Sequence, residues 1–380
     1  MAAKPKSRAT RRPGLPELSG PAIVLGLILL AFAGEAQAQD AATEDTGAAD
    51  PPQAENKTGF GAGSFVAVPI PVNNPTFGTG VVLGGGYLFK ADEKSDTSFI
   101  GGGVFGANEG SRAGALGGSF SFADKRYNGF GFLAAADLSY ELFILGQPVR
   151  IEQDGAAVQG EFRYGFTETL SAGLSLRYVE SRLSGINGTD LPEQIQDISD
   201  LSIATVGVVG QWDTRDDTFY PTTGGLLDLE LTYNETSGVQ NLTYTRSIIG
   251  YDHFWSLGER SVIGARLAGC AVQDRAPFYE TCLLGSEIRG FSLFEFYGDQ
   301  MVTAQAEYRG RINERFGYVA FAGVGDVRRN FLSFDSGTRY AGGIGGRYRV
   351  SKEFDLDVSL DLTLNDKNES FVYFYVGQSF

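Results

Sequence analysis

Phe354-Asp355-Leu356-Asp357-Val358-Ser359-Leu360-Asp361-Leu362-Thr363-Leu364 alternates without a break. Phe354, Leu356, Val358, Leu360, Leu362 and Leu364 fall on one side. Asp355, Asp357, Ser359, Asp361 and Thr363 fall on the other. A period of two belongs to extended chain, where successive side chains leave opposite faces. A strand with large apolar groups on one face and three carboxylates on the other separates an apolar medium from a wet one. The carboxylates Asp355, Asp357 and Asp361 read as an acidic ladder on a solvated wall.

The same division recurs upstream. Val302, Ala304, Ala306 and Tyr308 stand against Thr303, Gln305, Glu307 and Arg309. Leu227, Leu229, Leu231 and Tyr233 stand against Asp228, Glu230, Thr232 and Asn234, and Val158 to Phe166 repeats the pattern. Sixteen segments of this kind lie near residues 60–69, 77–90, 97–106, 112–123, 128–140, 150–166, 169–182, 200–212, 224–234, 239–256, 260–274, 300–311, 316–328, 336–350, 353–364 and 370–380. The sixth has a candidate break near Asp154, and the first starts in the glycine-rich Gly59-Phe60-Gly61-Ala62-Gly63-Ser64. Short connections such as 166–169 alternate with longer polar ones such as 183–200 and 275–299. An even number of half-apolar antiparallel strands, with short turns at one end and longer loops at the other, is the pattern of an outer-membrane barrel. In lipid only helices or closed barrels satisfy the backbone, and no candidate spanning helix follows the amino-terminal region. The fold class is therefore all-β, a 16-stranded antiparallel transmembrane β-barrel. A soluble sandwich would have to gather sixteen apolar faces into one core, more than such a core uses.

Composition agrees. The 380 residues include 52 Gly and 12 % aromatics but only one His and two Met. The net charge of −15 argues against nucleic acid, which needs clustered Lys and Arg. Lone His253 leaves no His-based metal site, no nucleophile or phosphate-loop motif occurs, and neither cofactor nor catalysis is expected. Residues 1–38 read as a signal peptide, with a basic start (Lys4, Lys6, Arg8, Arg11, Arg12), an apolar run over 22–32 and an Ala36-Gln37-Ala38 cleavage site. An uncleaved anchor is the alternative. Residues 39–58 read as a disordered acidic leader and 59–380 as the barrel. The final Phe380 closes the last segment in the manner of an outer-membrane C-terminal β-signal.

Two stretches carry more than strand pattern. Leu284-Gly285-Ser286-Glu287-Ile288-Arg289-Gly290-Phe291 lies in the longest connection, between the eleventh and twelfth segments. Arg brings a permanent charge and five donors in a fixed fork, Gly a sharp turn and Phe an apolar anchor. Together they suit a loop tip that folds back and docks. Cys270 and Cys282 flank the start of this connection and read as a disulfide at its base, with two free thiols as the alternative. The second stretch is Asp213-Thr-Arg-Asp-Asp-Thr-Phe-Tyr-Pro-Thr-Thr-Gly-Gly225, a turn built on Pro221, Gly224 and Gly225 after the eighth segment.

Both stretches resemble motifs of the BamA/TamA family of outer-membrane barrels, the bacterial surface antigen family. The turn, with Asp213, Arg215 and Asp216, is similar to that family's periplasmic turn. Ile288-Arg289-Gly290-Phe291 is similar to the tip of its inward-folded loop. The resemblance implies that Arg289 reaches carboxylates on the lumen wall. Glu307 matches the first of these. Gly323 stands where a second, an Asp, is usual, and nearby Asp326 has the wrong parity, so the latch is expected to be weaker. The resemblance further implies an outer-membrane factor of Gram-negative cells that contacts lipid or lipopolysaccharide and assembles or translocates client polypeptides or lipids. Its opening would lie between the first and last strands. No stretch matches the family's periplasmic POTRA modules, so a periplasmic or membrane partner is expected to capture clients. A passive diffusion pore, a structural barrel or a surface antigen are the alternatives.

Overall fold

A computed structural model of the chain describes residues 58–74, 76–185, 190–217, 220–328, 337–351, 356–376 and 378. The expected signal peptide, nearly all of the leader, Phe354, Asp355 and Phe380 lie outside the described residues. The strands are β1 (Ser64–Asn74), β2 (Gly78–Phe89), β3 (Ser98–Ala107), β4 (Arg112–Phe122), β5 (Tyr127–Ile144), β6 (Gln147–Gly165), β7 (Leu170–Gly185), β8 (Asp200–Asp213) and β9 (Gly224–Gly238). There follow β10 (Thr243–Ser256), β11 (Ser261–Gln273), β12 (Cys282–Leu283), β13 (Tyr297–Gly298), β14 (Gln300–Arg311), β15 (Phe316–Arg328), β16 (Gly337–Ser351), β17 (Leu356–Asn365) and β18 (Ser370–Val376).

Sixteen of these form one antiparallel sheet in chain order, from β1 to β11 and on from β14 to β18. β12 and β13 pair with each other as a ribbon inside the connection 274–299. β1 and β18, the two ends of the sheet, lie side by side, so the sheet curls into a nearly closed barrel. No helix among the described residues is long and apolar enough to cross a membrane.

The alternation is realised inside out. On β17, Asp361 is 0 % exposed while Leu360, Leu362 and Leu364 are 47 %, 52 % and 54 % exposed. On β14, Thr303, Gln305, Glu307 and Arg309 are buried while Val302 and Tyr308 face out. Polar inside and apolar outside reverses the rule for water-soluble proteins and matches a wall whose solvent is lipid.

Three expectations change. The glycine-rich stretch is not the first strand: Phe60–Ala62 is a 3₁₀ turn and β1 begins at Ser64. The Phe60 ring packs on Tyr87 and Phe89 with centroids 5.0 Å apart, which holds the turn against β2. The sixth segment does not break at Asp154, because β6 pairs through it with both β5 and β7. Finally, the outer connections are not uniformly long. β5 and β6 join by only Leu145 and Gly146, whose φ values of 54° and 75° suit a two-residue hairpin. The hairpin outruns its neighbours because Tyr140, Leu142 and Ile144 are buried rather than solvated.

That burial defines the interior. Inward residues of β5 to β8, among them Tyr140, Leu142, Ile151, Val179 and Ile203, form an apolar core with Phe278, Tyr279, Leu293, Phe294 and Tyr297 of the 274–299 connection. The opposite wall turns charged residues of β14, β16 and β17 inward, among them Glu307, Arg309, Arg347, Asp357 and Asp361, while β15 contributes Val319 and Val327. Packing and charge both hold the connection on each side of the barrel.

Candidate functional site

The connection between β11 and β14 is secured first at its base. Cys270 on β11 is bonded to Cys282, with Cα atoms 5.7 Å apart. Val272 donates its amide to the Asp299 carbonyl at 2.7 Å. The β12–β13 ribbon then carries the chain inward, and Ile288 N–H closes a turn on the Leu284 carbonyl at 2.9 Å.

The turn aims Arg289 at the inward charges of β14 and β17. Its Nη2 donates to Glu307 Oε2 at 2.7 Å. Its Nη1 reaches Asp361 and, at 3.2 Å, the Tyr375 hydroxyl. The guanidinium carbon sits 3.5 Å from the centroid of the Phe321 ring. Glu307 also accepts from Arg309 Nε at 2.5 Å, and Asp361 from Arg347 Nη1 at 2.5 Å. The result is an alternating row, Arg309–Glu307–Arg289–Asp361–Arg347, in which no side chain is more than 8 % exposed. Paired, buried charges of this kind hold geometry, and removing one partner costs about 3–5 kcal/mol.

Arg289 thus meets a second carboxylate although Gly323 offers none. That carboxylate is Asp361 on β17, a member of the ladder read as a solvated wall. Asp357 is likewise buried, joined to Arg311 and Arg349. At Gly323 a Cβ would sit 3.1 Å from Gln305 Cγ and 3.2 Å from Ile288 Cγ2, a tight fit against two side chains. Asp326 faces outward and accepts from Thr338, so it does not substitute.

Gly290 has φ +116°, and a Cβ on it would meet Ala341 Cβ at 2.8 Å. Its amide donates to the Tyr373 hydroxyl at 2.7 Å, and its carbonyl accepts from Asn365 Nδ2 at 2.9 Å. Phe291 is buried edge-on against Phe296.

Three further ion pairs fasten the same connection, and sequence reasoning missed them. Arg177 on β7 binds Glu280 at 2.5 Å, Arg266 on β11 binds Glu287 at 3.1 Å, and Lys367 binds Glu295 at 2.5 Å. The available signal was parity: Arg177 falls opposite the outward Leu174, Leu176 and Tyr178, and three Glu recur in an otherwise apolar loop.

The second motif lies at the other end of the barrel. Asp213 accepts from Arg215 N and Nε, both at 3.0 Å. Asp216 accepts the amides of Thr222 and Thr223 at 2.9 and 3.1 Å. Partial burial alone would push the Asp216 carboxyl up, but hydrogen bonds from Thr222 and Thr223 outweigh it and hold it below its ordinary value. Gly224 has φ +90°, and a Cβ there would lie 2.1 Å from the Thr214 carbonyl oxygen. Gly225 closes the turn through hydrogen bonds with Thr214, and Pro221 is buried. Tyr220, which the sequence did not single out, stacks within 4.5 Å of Arg311, 4.9 Å of Arg349 and 6.0 Å of Arg309. Since Arg309 is bonded to Glu307, the turn and the loop tip are linked through four side chains, Tyr220, Arg309, Glu307 and Arg289.

A sixteen-stranded antiparallel barrel with an apolar outer face is the fold of an integral outer-membrane protein. Residues 99–380 match the Omp85 superfamily domain, and the chain belongs to that superfamily, whose barrels are outer-membrane proteins of Gram-negative bacteria. Among solved structures it is similar to BamA from Haemophilus ducreyi lacking POTRA domains 1–3, at 13 % identity and TM-score 0.54, over 83 % of this chain and 69 % of that one. It is similar to CdiB from Acinetobacter baumannii at 12 % identity and TM-score 0.57, over 83 % of this chain and 59 % of that one. For CdiB from Escherichia coli the values are 16 % and 0.55, over 81 % of this chain and 62 % of that one. The chain therefore spans less than two thirds of the length of either CdiB. A comparison with curated protein sequences finds no match.

Proposed function

We propose that this barrel handles polypeptide or lipid substrates at the outer membrane, with the Arg-Gly-Phe loop as a plug of its interior. The observation that carries this reading is the way the interior is filled. An apolar core on one side and the row Arg309 to Arg347 on the other leave the 274–299 connection wedged between the walls. A solute pore needs an open lumen. The break in the wall is the boundary of β1 and β18, where no strand pairing is present among the described residues. A factor that passes substrate along its wall needs such a boundary and tolerates a filled centre.

In this reading Cys270–Cys282 anchors the plug, the Asp213–Gly225 turn faces the periplasm, and the outer face contacts lipid and lipopolysaccharide. A periplasmic or membrane partner presents the client. The test is the folding of a client barrel into liposomes that hold the refolded protein, beside liposomes holding an unrelated barrel of similar size. Faster client folding with this protein supports the proposal. Equal rates in both, with steady conductance in a planar bilayer, would return the chain to the diffusion-pore class.

A further inference from the structure

We infer that residues Arg289 to Leu293 act as a strap across the β1–β18 seam, closing from inside a wall that β1 cannot close by itself. The inference deepens the reading above, since it concerns the opening that reading needs.

β1 carries Pro69 and Pro71, and neither has an amide hydrogen. Yet β1 pairs with β2 without interruption from Ser64↔Leu88 to Asn74↔Gly78. In an antiparallel ladder, alternate residues exchange both bonds with one neighbour and the residues between them face the other way. An unbroken ladder with β2 therefore runs through Val68, Ile70 and Val72. The two prolines turn their nitrogens toward β18, the position where a sheet tolerates proline. The seam edge of β1 offers carbonyl acceptors there but lacks two consecutive donors.

The loop tip supplies bonds to both sides instead. Toward the last hairpin, Gly290 N–H reaches Tyr373 Oη at 2.7 Å and Arg289 reaches Tyr375 Oη at 3.2 Å, both on β18. Toward the first hairpin, Leu293 N–H reaches Thr76 Oγ1 at 2.8 Å, and Ser292 Oγ lies 3.3 Å from the same hydroxyl. Thr76 lies in the β1–β2 turn. The five-residue run from Arg289 to Leu293 thus holds both borders of the seam. Each receiving group is a side-chain hydroxyl, so the strap can release without breaking either hairpin's own ladder.

The seam itself is the readout, in lipid vesicles and without any client. Nitroxide labels replace outward-facing Ala67 on β1 and Val372 on β18, with Cys270–Cys282 left oxidised. The unmodified background should give one short distance by double electron–electron resonance. Thr76→Val with Tyr373→Phe keeps volume, removes both bonds to the first hairpin and removes the Gly290 bond to β18, leaving the tip held on the last hairpin's side alone by Arg289 and Asn365. It should raise the long-distance population severalfold. Adding Pro69→Val and Pro71→Val restores two donors and should bring the short distance back. An unchanged distance in the strap variant, or no recovery with the valines, overturns the inference. If the double variant does not fold, Thr76→Val alone, in a surface turn, carries the same expectation. Client folding is scored separately, so an inert seam and an inactive factor give different results.

Discussion

Arg177 grips Glu280 at 2.5 Å from β7, eight strands round the barrel from β17, where Asp361 meets Arg289. The connection is therefore anchored by charge at opposite walls, with an apolar core between. No single residue is its hinge pin.

Arg289→Ala alone should leave the barrel closed. The packing of Phe278, Phe294 and Tyr297 and the Arg177–Glu280 pair persist without it. Planar-bilayer recordings should show low conductance for the wild type and Arg289→Ala, and frequent opening only when Arg177→Ala is added. A large steady conductance from Arg289→Ala by itself would contradict the two-wall anchorage.

Glu307→Gln faces two guanidinium groups with a neutral amide. The loss should be about 3–5 kcal/mol, the range for a buried pair deprived of one partner. Equilibrium unfolding in guanidinium chloride, followed by tryptophan fluorescence in detergent, checks the size. A change below about 1 kcal/mol, the scale of exposed pairs, would mean that water screens this row.

Gly290→Ala should destabilise the docked tip by about 1–3 kcal/mol, the usual cost of holding a side chain in a disfavoured backbone region. The Cβ contact with Ala341 adds to it, and Ala341→Gly should recover only that part. Proteolysis of the loop in the folded barrel is the sensitive measurement. Full rescue by Ala341→Gly would show that space, not φ, sets the requirement.

Asp216 gives the Asp213–Gly225 turn a pH dependence. Its carboxyl is held below the ordinary value, so the stabilisation is complete above that value and fades as pH falls through the lowered one. Amide exchange at Thr222 and Thr223 should accelerate at acid pH. Asp216→Asn should remove the pH dependence and cost about 1–2 kcal/mol of local stability. Exchange rates that ignore both changes would disprove the cap.

Reducing Cys270–Cys282 should lower stability by about 3 kcal/mol, the loop-closure value for a ring of this order. Thermal unfolding with and without reductant, beside Cys270→Ser/Cys282→Ser, measures it. The loop should stay docked in both forms, because its remaining anchors do not pass through sulfur. A loop that becomes protease-sensitive on reduction would make the bond the principal anchor.

Much of the fold was legible because the period of two is local. Leu360, Asp361 and Leu362 declare their faces without reference to any other strand. The loop's fate was partly legible, since an Arg-Gly-Phe tip with an acidic partner at Glu307 suggests docking. The partners Asp361, Arg177 and Lys367 were not, because which inward residues meet depends on barrel closure and stagger, not on spacing along one strand. Gly323 shows the limit well. The missing carboxylate is legible there, but that Asp361 from another strand fills the role beside Arg289 is not. Tyr220 was hidden for the same reason, being one aromatic in a polar turn until Arg311 and Arg349 arrive from strands more than ninety residues away.

The reversed polarity of the wall bears on how the chain reaches its membrane. In water, the hydrophobic effect draws Leu360, Leu362 and Leu364 together, turning toward the middle the face that must end outermost. Collapse before insertion would be an eversion of the finished barrel, stranding Arg289, Glu307 and Asp361 apart in solvent. Only once lipid takes up the apolar face does the charged row have an inside in which to assemble.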